Sequence, residues 1–170
     1  MKKRIIIFAL LLAIVFSLCS CQGERRSCEE LLQICLEYGV DRYRDTGYVF
    51  LKSADESDVF YLSEKTKHSM YGERFDGALE RTRDFAIYVS AANRYEIAIF
   101  ECYSRNDTDE ILKMCYERAD EIRIGLRFTE WESLAEAIEI QVYKKYVIFA
   151  LTDSAQRNEG VIDEVRACLS

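Results

Sequence analysis

The sequence predicts an α+β domain, an antiparallel sheet of about four to six strands with helices packed mainly on one face. Three observations predict it. Two pairs of short aromatic and β-branched runs, residues 85–90 with 95–103 and 137–142 with 146–151, are each joined by a tight polar turn. Each pair is followed by apolar residues at helical spacing, which sets a ββα-ββα order in the C-terminal part. A further amphipathic stretch, opening at Ser27, precedes both pairs.

Taken in order, the chain begins with Lys2, Lys3 and Arg4, then an apolar run over residues 5–18, then Leu18-Cys19-Ser20-Cys21. A basic end, an apolar stretch and a small-residue cut site make a secretory signal. The last four residues have the form of a bacterial lipobox, in which Cys21 is acylated and becomes the new N-terminus. The 14 residues between Arg4 and Cys19 fall short of the roughly 20 that a spanning helix needs. Expected boundaries are therefore a signal peptide at 1–20, a lipid anchor and tether at 21–27, and one globular domain at 28–170. Six extended residues, 22–27, reach about 20 Å at most, so the domain would sit close to the membrane surface.

Ser27-Cys28-Glu29-Glu30 has the spacing of a capping box. Cys28, Leu31, Leu32, Cys35 and Leu36 follow on one helical face, and Gly39 supplies a stop. Residues 48–51 and 59–62 read as two strands of a hairpin around a polar stretch. Residues 64–84 are polar, contain Gly72 and Gly77, and read as a loop with a short helix near 77–83. The strand pair at 85–90 and 95–103 turns at Ala92-Asn93-Arg94. Asp107 is the expected cap of the next helix, where Ile111, Cys115, Arg118 and Ile122 share one line. After a link containing Trp131, the second strand pair turns at Tyr143-Lys144-Lys145. Asp153 or Asn158 then opens a last helix carrying Val161, Ile162, Val165, Cys168 and Leu169. The two halves align loosely, residues 95–100 against 145–150, as a duplicated ββα unit would.

Charge narrows the function classes. The first 20 residues hold three of the 23 basic side chains and none of the 30 acidic ones. The remainder therefore carries 20 basic against 30 acidic groups, a formal charge of −10. Nucleic acid, bound chiefly by neutralising phosphates, is not an expected partner. Beyond Cys21 there are Cys28, Cys35, Cys102, Cys115 and Cys168, with no Cys-x-x-Cys pair. Their apolar neighbours point to buried free thiols; one or two disulfides are the alternative in an exported chain.

No catalytic, cofactor-binding or metal-binding residue is assigned from sequence. His68 is the lone histidine and is read as a solvated loop residue. Asp55-Glu56-Ser57-Asp58 lacks the glycine and the distal glutamate of a calcium loop, so it reads as a turn. Tyr43, Tyr48 and Tyr71 could stack on a ligand, with burial as the default. Asn106-Asp107-Thr108 matches a glycosylation sequon but reads as a helix cap.

The stretch Arg94-Tyr95-Glu96-Ile97-Ala98-Ile99-Phe100 and the helix after it resemble a known family, as does Tyr146-Val147-Ile148-Phe149 leading into Thr152-Asp153. The family is one of lipoproteins from Gram-positive anaerobes, known only as a domain of unknown function. The resemblance covers residues 85–165. Members often carry a Tyr-x-Pro step before the late strands; this chain has no proline, and Trp131-Glu132 stands there. The resemblance implies a lipid-anchored domain on the outer membrane face and brings no catalytic residues. The functional expectation is a non-catalytic binding or interaction module at the cell surface, with the membrane as one partner through Cys21 and a surface protein or envelope component as another. The rivals are a thiol-dependent enzyme or redox protein and a small-ligand receptor.

Overall fold

The computed structural model describes residues 26–40 and 47–170. Helix α1, Cys28–Gly39, starts where the capping box predicts: Ser27 Oγ accepts from the Glu30 N–H at 3.2 Å, and Glu30 Oε2 accepts from the Ser27 N–H at 2.8 Å. Strand β1, Tyr48–Leu51, is followed by helix α2, Glu64–Tyr71, capped by Ser63. Two 3₁₀ turns, Glu73–Phe75 and Leu79–Arg81, lead into β2, Thr82–Ser90, and β3, Tyr95–Cys102. Then come α3, Thr108–Leu126, a short α4, Glu132–Glu136, β4, Glu139–Tyr143, β5, Tyr146–Leu151, and α5, Ala155–Leu169.

The five strands form one antiparallel sheet in the order β1-β2-β3-β5-β4, so the α+β class and the ββα-ββα order hold. The helices do not lie mainly on one face. Phe85, Ile87, Ala98, Phe100, Val147 and Phe149 meet residues of α2, α3 and α4. The alternate residues Ala86, Tyr88, Ile97, Ile99, Ile148 and Ala150 meet α1 and α5. Every residue of β5 is buried, as is all of β3 after Tyr95, because both faces of these central strands are covered. An alternating pattern marks a half-covered sheet, and neither strand has one.

This placement also bears on duplication. The two-fold that would map β2 and β3 onto β4 and β5 runs perpendicular to the sheet, so it keeps a helix on its own face. Yet α3 and α5 lie on opposite faces. The shared order therefore reflects similar patterning rather than a repeated unit.

Three local expectations change. Residues 59–62 are not a strand: Phe60 O accepts one bond from the Leu51 N–H, but Asp58 folds the chain into turns through Asp55 O and Phe60 N–H. The nine-residue β2 offers β1 a four-pair ladder instead. Residues 64–84 are ordered as α2, the two 3₁₀ turns and the start of β2, burying Met70, Tyr71, Phe75, Ala78 and Leu79. Asp107 precedes α3 without capping it, since its Oδ2 accepts from Ser104 N–H and Oγ–H at 2.9 and 2.6 Å; at α5 the cap is Ser154.

Candidate functional site: a cleft beside the β2–β3 turn

The β2–β3 hairpin turns through residues 91–94 and closes on Arg94, whose φ of 60° lies in the left-handed region. Non-glycine residues occupy that region sparingly. Ser90 Oγ accepts from the Asn93 N–H at 3.3 Å and firms the turn. The C-terminal end of α3 and the end of β5 stand beside it. Between them opens a cleft of about 360 Å³, with Val89, Ile122, Leu126 and Leu151 as apolar walls and the bare backbone of Gly125 at one side.

The cleft's polar part is a buried ion pair. Glu96 lies on the β3 face that carries Ala98 and Phe100, under α3. Arg118 of α3 reaches it with Nε at 3.0 Å and Nη2 at 2.7 Å from Oε2, and Nε at 3.3 Å from Oε1. The two side chains are 19% and 3% exposed. Burial alone would lower the Arg118 pKa; the adjoining Glu96 carboxylate more than offsets this and holds it above the ordinary arginine value. Tyr71 lies within electrostatic reach of both. Its ring packs edge-on against Phe100, its hydroxyl is buried without a hydrogen-bond partner, and burial raises its pKa well above the usual phenol value.

Neither Glu96 nor Arg118 is given a site role by the sequence. The signal was there: Arg118 interrupts the apolar line of Ile111, Cys115 and Ile122, and a charge on a core-facing line needs a partner. What sequence could not supply was the partner's identity, 22 positions away on another element.

The residues singled out earlier do not join this cleft. His68 lies in α2 rather than in a loop, with Nε2 at 2.6 Å from Asp76 Oδ1 and 3.7 Å from Glu64 Oε2. These three form a ligand-like set, but Lys67 Nζ already stands 2.5 Å from Glu64 and 3.7 Å from Asp76. An ammonium among the carboxylates makes this an ion-pair knot pinning α2 to the first 3₁₀ turn. Residues 55–58 are a surface turn. Tyr48 is 68% exposed on the edge strand, and Tyr43 and Cys21 lie outside the described residues.

The five cysteines 28, 35, 102, 115 and 168 are free, and all but Cys168 are buried. Burial pushes the Cys35 thiol up to about 12 and the Cys102 thiol up to about 11, and raises Cys28 and Cys115 too. Such thiols are poor nucleophiles near neutral pH. Among the described residues, no helix is long and apolar enough to cross a membrane. Compared with models of protein families, with curated proteins and with solved structures, the chain matches none.

Proposed function

We propose that this chain is a lipid-anchored protein of the extracytoplasmic membrane face that works as a non-catalytic binding module, with the cleft beside the β2–β3 turn as its site. The anchoring half rests on the signal and lipobox ending at Cys21, and on the resemblance to the lipoprotein family. The binding half rests on one observation: an apolar-walled cleft lined by a buried charge pair in which Arg118 Nε and Nη2 donate to the Glu96 carboxylate. Apolar walls with a few fixed polar groups are the usual make-up of a small-ligand site. The cleft thus draws the reading toward a small-ligand receptor. The raised pKa values of the buried thiols weigh against a thiol-dependent enzyme.

Cys21→Ala should move the protein from the membrane to the soluble fraction and end its labelling by fatty acid; continued membrane retention would overturn the anchoring. For the binding half, hydrogen exchange should be slower at the β2–β3 turn and the last two turns of α3 in native envelopes than in the purified protein. Gly125→Phe should erase that difference, because nothing lies within 4 Å of a Cβ built there and a ring can fill the cleft. No added protection, or protection that survives the substitution, would rule the cleft out.

A further inference from the structure

The lining of the cleft also points to a class of ligand. Its charged residues are two guanidiniums, Arg94 and Arg118, against one carboxylate, Glu96. The balance is the reverse of the whole chain, which is net acidic at −7. Glu96 is already satisfied by Arg118, accepting from Nε and Nη2 at 2.7–3.3 Å. That fork uses one edge of the Arg118 guanidinium and leaves the Nη1 edge outside it. Arg94 stands exposed at the rim on the turn. A cationic ligand would meet two positive side chains there. A neutral ligand would fill the apolar walls but leave the excess positive charge without a counter-charge.

We infer that the cleft binds a small carboxylate with an apolar body, its head group between Arg94 and Arg118 and its body against Val89, Ile122, Leu126 and Leu151. This inference rests on the reading of the cleft as the binding site and adds the chemistry of the occupant. Arg94 and Arg118 are binding residues in it, and Glu96 is a positioning residue that holds the Arg118 fork. At about 360 Å³ the cleft is at the small end of the usual range of about 300–1,000 Å³ for ligand pockets. That size suits a short alkyl or single-ring acid rather than a polymer segment.

The test compares three probes of one shape, hexanoate, hexanamide and hexylamine, titrated calorimetrically into the full chain in lipid nanodiscs, with empty nanodiscs as blank. Hexanoate should bind saturably and about tenfold or more tighter than hexanamide, the factor one charge-assisted hydrogen bond supplies. Hexylamine should be the weakest of the three. Arg94→Gly removes the rim charge while suiting a φ of 60°, so it should weaken hexanoate and leave hexanamide unchanged. Gly125→Phe should abolish binding of every probe. Urea unfolding of both variants establishes that they are folded. Hexanamide or hexylamine binding at least as tightly as hexanoate, and lost in Gly125→Phe, would overturn the carboxylate assignment and leave the cleft standing. Hexanoate binding that survives Gly125→Phe, or no binding by any probe, would overturn both.

Discussion

Asn158 joins three parts of the chain through one side chain. Its Oδ1 accepts from the Thr152 N–H at 2.7 Å and from Thr152 Oγ–H at 2.6 Å, and its Nδ2 donates to Ala137 O at 2.6 Å. It is fully buried, so these bonds have no water to replace them. Asn158→Ala would orphan the Thr152 N–H and the Ala137 carbonyl, at about 1–3 kcal/mol for each unsatisfied group. The expected loss is about 2–6 kcal/mol, read as a lower urea midpoint with an unchanged slope; a change under about 0.5 kcal/mol, the size of an ordinary surface substitution, would sink this account. Asparagine near a helix start reads from sequence as a cap, because that is the local use of its side chain. Its use as a bridge between the end of β5 and the approach to β4 depends on which segments the fold brings together. The Glu96–Arg118 pair was hidden for the same reason. Each residue is visible as a charge in an apolar setting, and the pairing is not.

Helices α1 and α5 pack closely through two glycines. A Cβ on Gly39 would come within 2.7 Å of Val161 Cγ2, and one on Gly160 would strike the Tyr38 ring and hydroxyl. The two contacts differ in how far they can yield. Val161 is fully buried with nowhere to move, whereas Tyr38 is 48% exposed and can swing outward. Gly39→Ala should therefore cost about 1–3 kcal/mol, the usual range for overpacking a core. Gly160→Ala should be close to neutral, since a helix-propensity gain of up to about 1 kcal/mol offsets the displaced ring. Adding Val161→Ala to Gly39→Ala should recover part of the first loss, and strict additivity in thermal unfolding would refute the contact. At this scale the sequence reads well where the signal is local. The capping box of α1 and the apolar line of α3 are short-range patterns, and both helices stand where they were expected. The strand at 59–62 failed because aromatic and β-branched residues record a tendency, while the choice of partner for β1 lay with β2, more than 30 positions away from it in the chain.

Across the whole molecule, residues 26–28 and the cleft lie toward opposite ends of β2. The Cys28 N–H donates to Asp84 Oδ2 near the start of β2, and Arg26 Nη1 reaches Cys168 Sγ at 3.5 Å near the end of α5. The cleft adjoins the other end of β2 at Val89 and Ser90, about 17–20 Å from Asp84 along the strand. A ligand in the cleft would thus be met at the end of β2 away from residues 26–28. The buried thiols also belong to this scale, because they sit in the cores on both faces of the sheet. Native protein should react with a thiol reagent first at Cys168, and Cys28, Cys35, Cys102 and Cys115 should follow only on denaturation. Fast native labelling of one of those four would revive the thiol-dependent alternative. Their raised pKa values fix a sign for pH dependence. Above about pH 9 the unfolded chain loses thiol protons that the folded chain keeps, so the unfolded state binds fewer protons and stability falls. The share from Cys102 and Cys35 should run from about pH 9 to about 11–12, their folded values, while Cys28 and Cys115 carry the fall further. Serine at Cys35 and Cys102 should make that part of the profile shallower, with Cys28 and Cys115 carrying the rest.

By itself the sequence determined the α+β class, the order of the later strands and helices, the absence of a Cys-x-x-Cys pair and the expectation of a lipid anchor at Cys21. All of these are local patterns, written within one turn, one strand or one short motif. Only the tertiary structure decided that helices cover both faces of the sheet, that β1 pairs with β2, and that Glu96 and Arg118 share a cleft with the β2–β3 turn. The physical reason is range. Hydrophobic periodicity says that a face will be buried, but which element buries it, and which charge meets its counter-charge there, is settled only when distant segments compete for the same surface.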